Sequence, residues 1–183
     1  AYKTLIQIDP GTAFGTGSHE TTKLCILALE KYLKDFPGAN VLDVGTGSGI
    51  LGITALKLGA GYVFGTDLDD MAIDAVMENI ISNEINITDF VSVCGNIIEE
   101  GEIRDMAGYE KYDIVTANIL APVIIELIGT VGVHLKNGGI FITSGIIDTK
   151  EEEVKNAFLK SEDFDILEIN RLGEWVGIVA KKR

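Results

Sequence analysis

The stretch from Val41 to Ile50 constrains the fold of this chain more than any other part of the sequence. Val41 to Val44 form a short apolar run typical of a buried strand, and glycines follow at positions 45, 47 and 49 before a helical pattern begins. Glycines between a strand and a helix let the backbone approach a ligand, and the unpaired amides of the helix N-terminus then face that ligand. The stretch predicts a ligand-binding turn in an α/β fold, with an ordinary structural turn as the alternative.

The spacing of these glycines indicates which ligand is bound. A dinucleotide fingerprint, G-x-G-x-x-G, would need its third glycine at position 50, which is Ile50. The pattern that starts at Asp43 is D-x-G-x-G-x-G, and it resembles motif I of the S-adenosylmethionine (SAM) methyltransferases. Because SAM has no pyrophosphate, a phosphate-binding turn is not required.

A second apolar run, Tyr62 to Asp67, ends in an acid. Asp67 follows the first glycine of the turn at close to the spacing of about 20 residues at which a nucleotide fold places its ribose-binding carboxylate. A carboxylate accepts from both ribose hydroxyls in strong, charge-assisted hydrogen bonds. The alternative role for Asp67 is the N-cap of the next helix, but Asp69 or Asp70 fills that role more naturally. We therefore expect Asp67 to bind the ligand.

The composition sets limits on the class of protein. A chain of 183 residues, of which 46% are hydrophobic, suits one globular domain. The net charge of -13 argues against nucleic-acid binding through a basic face and suits a basic protein substrate. Cys25 and Cys94 match no metal spacing and predict reduced, buried thiols of a cytoplasmic protein. No apolar run reaches the roughly 18 residues of a membrane span, and a start at Ala1 suggests processing or a fragment.

Strand-like and helical patterns alternate along the chain. Gly173-Glu174 between the last two strands is too short for a parallel crossover, so these strands form a hairpin. We predict an α/β fold of the SAM-dependent methyltransferase (Rossmann-like) type, with a seven-stranded, mostly parallel sheet, one antiparallel strand, and the ligand at the carboxyl ends of the strands. The predicted strands are 41–44, 62–67, 90–94, 112–117, 140–144, 166–172 and 175–180, with a further short strand allowed at 3–8. The predicted helices are 18–33, 48–58, 71–82, 122–135 and 149–160, with Ser18 capping the first and Thr149 capping the last.

The fourth strand is followed by Asn118, which we expect to face the ligand crevice. Its carbonyl can accept from an amine and its amide can donate to SAM. The position resembles the N-P-P-Y motif of methyltransferases that act on planar nitrogens, but Ile119 and Leu120 replace the prolines and no aromatic residue follows. An sp3 amine is therefore the better substrate. The alternative is that Asn118 only turns the chain into the next helix.

Three further segments carry a closer resemblance. D-P-G-T-A-F-G-T-G-S-H-E-T-T from Asp9 to Thr22, N-I-L-A at 118–121 and E-W at 174–175 closely resemble the ribosomal protein L-eleven methyltransferases, the PrmA family, over essentially the whole chain. The resemblance implies SAM-dependent N-methylation of lysine side chains and the terminal amine of that large-subunit ribosomal protein. The resemblance also implies which residues bind SAM, and it implies that Phe14 covers the ligand. In the mechanism we expect Asn118 to position the amine as well. The implied SAM-binding residues are Thr22, Gly45, Gly47, Asp67, Asn118 and Phe14.

The family normally carries a small amino-terminal domain that docks the ribosomal protein, and this chain begins just before the catalytic domain. We therefore expect residues 1–183 to be one catalytic domain without that docking domain. No metal is required, and no histidine is well placed as a base: His19 belongs to the glycine-rich loop, and His134 is expected in the last turn of a helix. Three alternatives remain: a small-molecule N-methyltransferase, a noncatalytic SAM- or nucleotide-binding module, and a nicotinamide dehydrogenase. Ile50 and the terminal hairpin disfavour the dehydrogenase, and the intact Gly45, Asp67 and Asn118 disfavour the noncatalytic module.

Overall fold

A computed structural model describes residues 4–9 and 17–183 and contains a seven-stranded sheet with helices on both faces. The strands are β1 (Asn40–Val44), β2 (Tyr62–Asp67), β3 (Phe90–Cys94), β4 (Tyr112–Asn118), β5 (Leu135–Ile147), β6 (Phe164–Leu172) and β7 (Trp175–Lys182). The helices are α1 (Glu20–Tyr32), α2 (Ile50–Lys57), α3 (Asp70–Ser82), α4 (Gly101–Ala107), α5 (Ala121–Ile128) and α6 (Glu151–Lys160).

The strand order is β3-β2-β1-β4-β5-β7-β6. Strands β1 to β5 pair in parallel with one another, whereas β7 pairs antiparallel with both β5 and β6. The predicted mixed sheet with one antiparallel strand is thereby confirmed. Since β2 and β3 lie on one side of β1 and β4 and β5 on the other, the crevice at the carboxyl ends of β1 and β4 is the switch point where such folds bind ligands.

The core lies on both faces of the sheet because successive strand residues point to opposite sides. In β1, Val41 packs with α1, α2 and α3, in a cluster that includes Leu29, Ile53 and Ile80. The next residue, Leu42, packs on the other face, where α4, α5 and α6 contribute their apolar sides. Burial of a side chain of this size stabilises the fold by about 1.5–3 kcal/mol. The double-sided core fixes β1 and therefore the turn that follows it.

Several predicted elements differ from the structure at their ends, and β5 extends well beyond the predicted 140–144. His19, rather than Ser18, is the N-cap of α1, because its ring nitrogen accepts from the amide of Thr21. Helix α5 ends at Ile128 instead of continuing to 135, and Leu135 begins β5. Thr149 forms no capping box, since it lies in a 3-10 turn that precedes α6. The stretch 99–111, whose polar sequence predicts a loop with a helical turn, contains the seven-residue helix α4.

The segment 4–9 is not a strand, contrary to the expectation for 3–8, and it lies against the C-terminal half of α3. Both cysteines were predicted to be buried. Cys25 is buried, but Cys94 is exposed at the end of the edge strand β3. Within the two described ranges, no helix is long and apolar enough to cross a membrane.

Candidate functional site

A cavity of about 730 Å³ opens at the carboxyl ends of β1, β2 and β4. Its size falls in the usual range of about 300–1,000 Å³ for small-molecule sites. It is mostly apolar with a few polar groups, an arrangement that suits a ligand with a flat apolar part and a polar part. The residues lining it are His19, Thr21, Val44, Gly45, Thr46, Gly47, Ile50, Leu51, Thr66, Asp67, Leu68, Gly95, Asn96, Ile97, Ile98, Asn118, Ile119, Leu120, Val123, Glu126, Gly145 and Trp175.

The glycine turn between β1 and α2 forms one wall of this cavity. Gly45 has φ +71° and Gly47 φ +54°, in the left-handed region that favours glycine. A Cβ at Gly45 would lie 2.4 Å from Cγ2 of Ile119, so the turn and the end of β4 approach more closely than any side chain allows. The predicted close backbone approach is therefore present, and it brings the glycine turn beside the segment that follows Asn118.

Asp67 reaches the same wall from the end of β2. Its Oδ2 accepts from the amide of Gly47 at 2.8 Å, and its Oδ1 accepts from the amide of Asp69 at 3.1 Å. Asp69, not Asp67, is the N-cap of α3, because its own side chain accepts from the amide of Met71. Each oxygen of Asp67 holds one backbone amide and keeps a further lone pair. The carboxylate is therefore fixed in orientation and can still accept from a ligand.

Asp43 supports the turn from beneath, a role that the sequence analysis did not assign. This fully buried carboxylate accepts from the hydroxyls of Thr46 at 2.8 Å and Thr116 at 2.6 Å. Burial raises the pKa of Asp43, and the hydrogen bonds from Thr116 and Thr46 oppose that rise. Because Thr46 lies in the glycine turn and Thr116 in β4, Asp43 joins the two walls of the cavity without lining it.

Asn118 lies at the cavity wall at the end of β4, as predicted. Its Nδ2 donates to Oγ1 of Thr22 at 3.3 Å, which directs the amide oxygen away from Thr22. Thr22 is buried in the first turn of α1 below Asn118, while its neighbour Thr21 lines the cavity. The remaining predicted ligand residue, Phe14, lies outside the described residues.

Two groups of lining residues were not found from the sequence. Asn96 and Ile97 follow β3. The pair Gly95-Asn96, directly after a strand that ends at the same edge of the sheet, is the sequence feature that could have indicated them. Trp175 begins β7, and its ring meets that of His19 edge-on with centroids 5.0 Å apart. Because β7 is antiparallel, its first residue lies at the edge where the parallel strands end, and a motif search along parallel strands misses it.

The second histidine is remote from the cavity. His134 is buried after a short 3-10 helix, not in the last turn of an α-helix as expected, and its Nδ1 donates to the carbonyl of Gly108 at 2.6 Å. Burial lowers the pKa of His134, so the ring is neutral near pH 7. Across residues 4–9 and 17–183, no group of three or more His, Cys, Asp or Glu side chains could hold a metal ion.

Comparison with solved structures defines the class of protein. The fold superposes on the S-adenosylmethionine dependent methyltransferase from Mesorhizobium loti with a TM-score of 0.67 at 15% identity, over 85% of this chain and 96% of that one. That likeness establishes the fold alone, which is that of the SAM-dependent methyltransferases. The ribosomal protein L11 methylase from Lactobacillus delbrueckii subsp. bulgaricus is more similar, with a TM-score of 0.84 and 35% identity over 97% of this chain and 85% of that one.

Sequence comparison identifies the family. The model of the ribosomal protein L11 methyltransferase (PrmA) family matches residues 1–183. The ribosomal protein L11 methyltransferase of Lachnospira eligens is 55% identical over 179 residues, which cover 98% of this chain and 56% of that protein. The chain therefore belongs to the ribosomal protein L11 methyltransferase family, as its motifs predicted. It spans about half the length of the curated relatives that it matches.

Proposed function

We propose that this chain is the catalytic domain of a SAM-dependent protein N-methyltransferase that acts on lysine side chains and the terminal amine of ribosomal protein L11. The observation that carries the proposal is the convergence of Asp67, the glycine turn and Asn118 on one cavity. Family membership supports the assignment of the substrate. When bound, SAM would supply an electrophilic methyl group. The amine nitrogen would attack the methyl carbon in line with its C–S bond, and S-adenosylhomocysteine would leave.

The cavity fits the donor through groups whose orientation is already fixed. Asp67 accepts from the ribose hydroxyls through the lone pairs that Gly47 and Asp69 leave available. Gly45 and Gly47 bring backbone to the donor where a side chain would intrude. Leu68 and Ile97 provide apolar surface for a flat base. Thr22 acts through its hydrogen bond to Asn118, and Phe14 is proposed to cover the donor.

Asn118 positions the substrate amine. Its Nδ2 is engaged by Thr22, so its Oδ1 is the group that accepts from the incoming nitrogen. The amine must be neutral to attack, although a free lysine has a pKa of about 10.4. Desolvation among Ile119, Leu120 and Val123 favours the neutral form. The proton passes to water, and most of the rate comes from proximity and orientation.

Binding of the protein substrate needs more contacts than the cavity at the amine provides. The net charge of -13 attracts a lysine-rich protein, but such attraction is screened by salt and orients its partner poorly. We propose that the 183 residues form one catalytic domain that binds the donor by itself. A docking domain of the kind that the family carries is then expected to increase transfer when it is joined to this chain.

Transfer of labelled methyl groups into purified ribosomal protein L11 tests the proposal. Asn118→Ala is expected to lower the single-turnover rate at saturating donor by roughly 100-fold, because the amine loses its orienting partner. We expect a smaller loss of affinity for S-adenosylhomocysteine, measured by titration calorimetry. The control is Asn137→Ala, an exposed asparagine near the start of β5 at the opposite edge of the sheet. A full rate in Asn118→Ala would remove this residue from the mechanism, and no transfer by the wild type, alone or joined to a docking domain, would refute the assigned substrate.

A further inference from the structure

Two buried asparagines, Asn79 on α3 and Asn83 at its C-cap, hold the segment 4–9 in place. The side chain of Asn83 accepts from the amide of Gln7 at 2.9 Å and donates to its carbonyl at 2.6 Å. One turn earlier, the side chain of Asn79 accepts from the amide of Asp9 at 3.0 Å. The two asparagines thus bond to the backbone of alternate residues, 7 and 9, as a neighbouring strand would, although the segment does not belong to the sheet.

The spacing of the two elements permits this pairing. Residues four apart on a helix are separated by about 6 Å along its axis, and residues two apart in an extended chain by roughly 6.6 Å. Asn79 and Asn83 therefore meet residues 9 and 7 with little adjustment. Ile6 and Ile8, on the alternate positions, pack against the core cluster that contains Val76 and Ile80. The asparagine side chains are only 1% and 5% exposed, so their hydrogen bonds do not compete with water.

Asn79 differs from Asn83 in a second contact. Its Nδ2 donates to the carbonyl of Ser48 at 2.9 Å, and Ser48 lies inside the glycine turn between Gly47 and Gly49. The amide of Gly47 in turn donates to Asp67. One side chain therefore joins the backbone of residue 9 to the turn that carries the proposed donor site. Asn83 bonds to Gln7 and to the backbone of its own helix, and it makes no such bond to the turn.

We propose that Asn79 is a positioning residue that couples binding of the donor at the glycine turn to docking of the segment 4–9. A ligand that holds the turn fixes the carbonyl of Ser48, which fixes the side chain of Asn79 and with it the amide of residue 9. By linkage, the docked segment tightens binding at the turn by the same factor by which the ligand tightens the segment. No residue of 4–9 lines the cavity, so protection of this segment by a ligand must pass through the protein, and Asn79→Ala separates a route through Asn79 from one along the chain that follows residue 9.

The coupling rests on the proposed donor binding, and S-adenosylhomocysteine serves as the probe. In the wild type, we expect this ligand to slow amide exchange at Gln7 and Asp9, measured by NMR, by at least about 3-fold. That factor lies in the range of coupling measured along contiguous networks. In Asn79→Ala, the slowing at Gln7 and Asp9 is expected to disappear and the Kd for the ligand to rise roughly 3- to 10-fold, while the glycine turn is still protected.

Asn83→Ala is the matched comparison, because it removes the contact with Gln7 and keeps the contact with Ser48. We expect its Kd to change less than that of Asn79→Ala, even where the two variants lose similar thermal stability. Equal loss of stability with unchanged Kd in both variants would show a purely structural role and overturn the proposal. If Asn79→Ala does not fold, Asn79→Asp takes its place, because it keeps an acceptor for the amide of residue 9 and removes the donor to Ser48. Slowing at Gln7 and Asp9 that persists in this variant would overturn the proposal.

The two proposals fail in different ways. If the wild type binds S-adenosylhomocysteine and protects its glycine turn, but exchange at Gln7 and Asp9 is unchanged, the coupling is refuted and donor binding stands. If the wild type binds no S-adenosylhomocysteine at all, the proposed function is refuted and the coupling with it.

Discussion

Gly45→Ala is expected to disrupt the site through one methyl group. The new Cβ would lie 2.4 Å from Cγ2 of Ile119, about 1 Å closer than an ordinary contact of 3.4 Å, so Ile119 must move by about that distance. The backbone at φ +71° adds a cost of about 1–2 kcal/mol for any residue other than glycine. Overpacking against Ile119 adds about 1–3 kcal/mol. Since Ile119 follows Asn118 directly, its displacement also moves the group that positions the amine.

Gly38→Ala separates the two contributions. Gly38 has the same φ of +71°, and a Cβ there meets nothing within 4 Å. We expect urea unfolding to give a loss of about 1–2 kcal/mol for Gly38→Ala with full methyl transfer. Gly45→Ala should lose about 1–3 kcal/mol more and about 100-fold in transfer rate, the effect of a misplacement near 1 Å.

The double variant Gly45→Ala/Ile119→Ala provides a second check, because it removes the Cγ2 atom that the new methyl group meets. It should recover part of the stability lost in Gly45→Ala, beyond the sum of the two single changes. Equal behaviour of Gly45→Ala and Gly38→Ala in both unfolding and transfer would refute the argument from close approach.

Two carboxylates give further predictions. Asp67→Ala should weaken S-adenosylhomocysteine binding by roughly 2–4 kcal/mol in titration calorimetry, because charge-assisted hydrogen bonds to the ribose are lost, and unchanged affinity would make Asp67 purely structural. The pKa of Asp43 in the fold is raised above its unfolded value, so the stability that Asp43 contributes is present below the unfolded pKa and is lost as pH rises through the folded pKa. Asp43→Asn should lack this loss in urea unfolding as the pH rises above the unfolded pKa of about 4, and identical pH slopes in the two proteins would contradict the assignment.

The strands could be predicted well because their signal is local. The runs 62–67 and 90–94 are predicted to the residue, since each is an apolar stretch that ends at turn residues or a polar loop. The ends of helices were harder to predict, because they depend on contacts between residues that are far apart in the sequence. His19 displaces Ser18 as the N-cap of α1, where it also meets the ring of Trp175, a partner more than a hundred residues away.

The residues of the site likewise fall into two groups: those whose position follows from the sequence, and those whose role is visible only in the structure. The positions of Asp67 and Asn118 at the cavity could be predicted because the carboxyl ends of parallel strands meet at one edge, so that position along a strand predicts position in space. Their roles in binding and catalysis remain predictions. The position of Trp175 could not be predicted in this way, because β7 is antiparallel and its first residue, not its last, lies at that edge. Asp43 belonged to the glycine motif, but its role as a buried brace required the distances to Thr46 and Thr116. The same holds for Asn79, whose two partners come from distant parts of the chain.

The position of β7 between β5 and β6 has a consequence for the order in which the molecule is completed. During synthesis β6 emerges before β7, yet β7 is the strand with which β6 pairs. A nascent chain that has released everything up to residue 172 therefore carries a strand without its partner and leaves one edge of β5 open. Only when residues 175–182 follow can the two strands close as a hairpin and place Val176, Ile178 and Val179 against β5. Pairing of β7 with β5 spans the whole of α6, and such non-local contacts form slowly, so the half of the sheet beyond β5 is expected to be where folding finishes and where an interrupted chain aggregates.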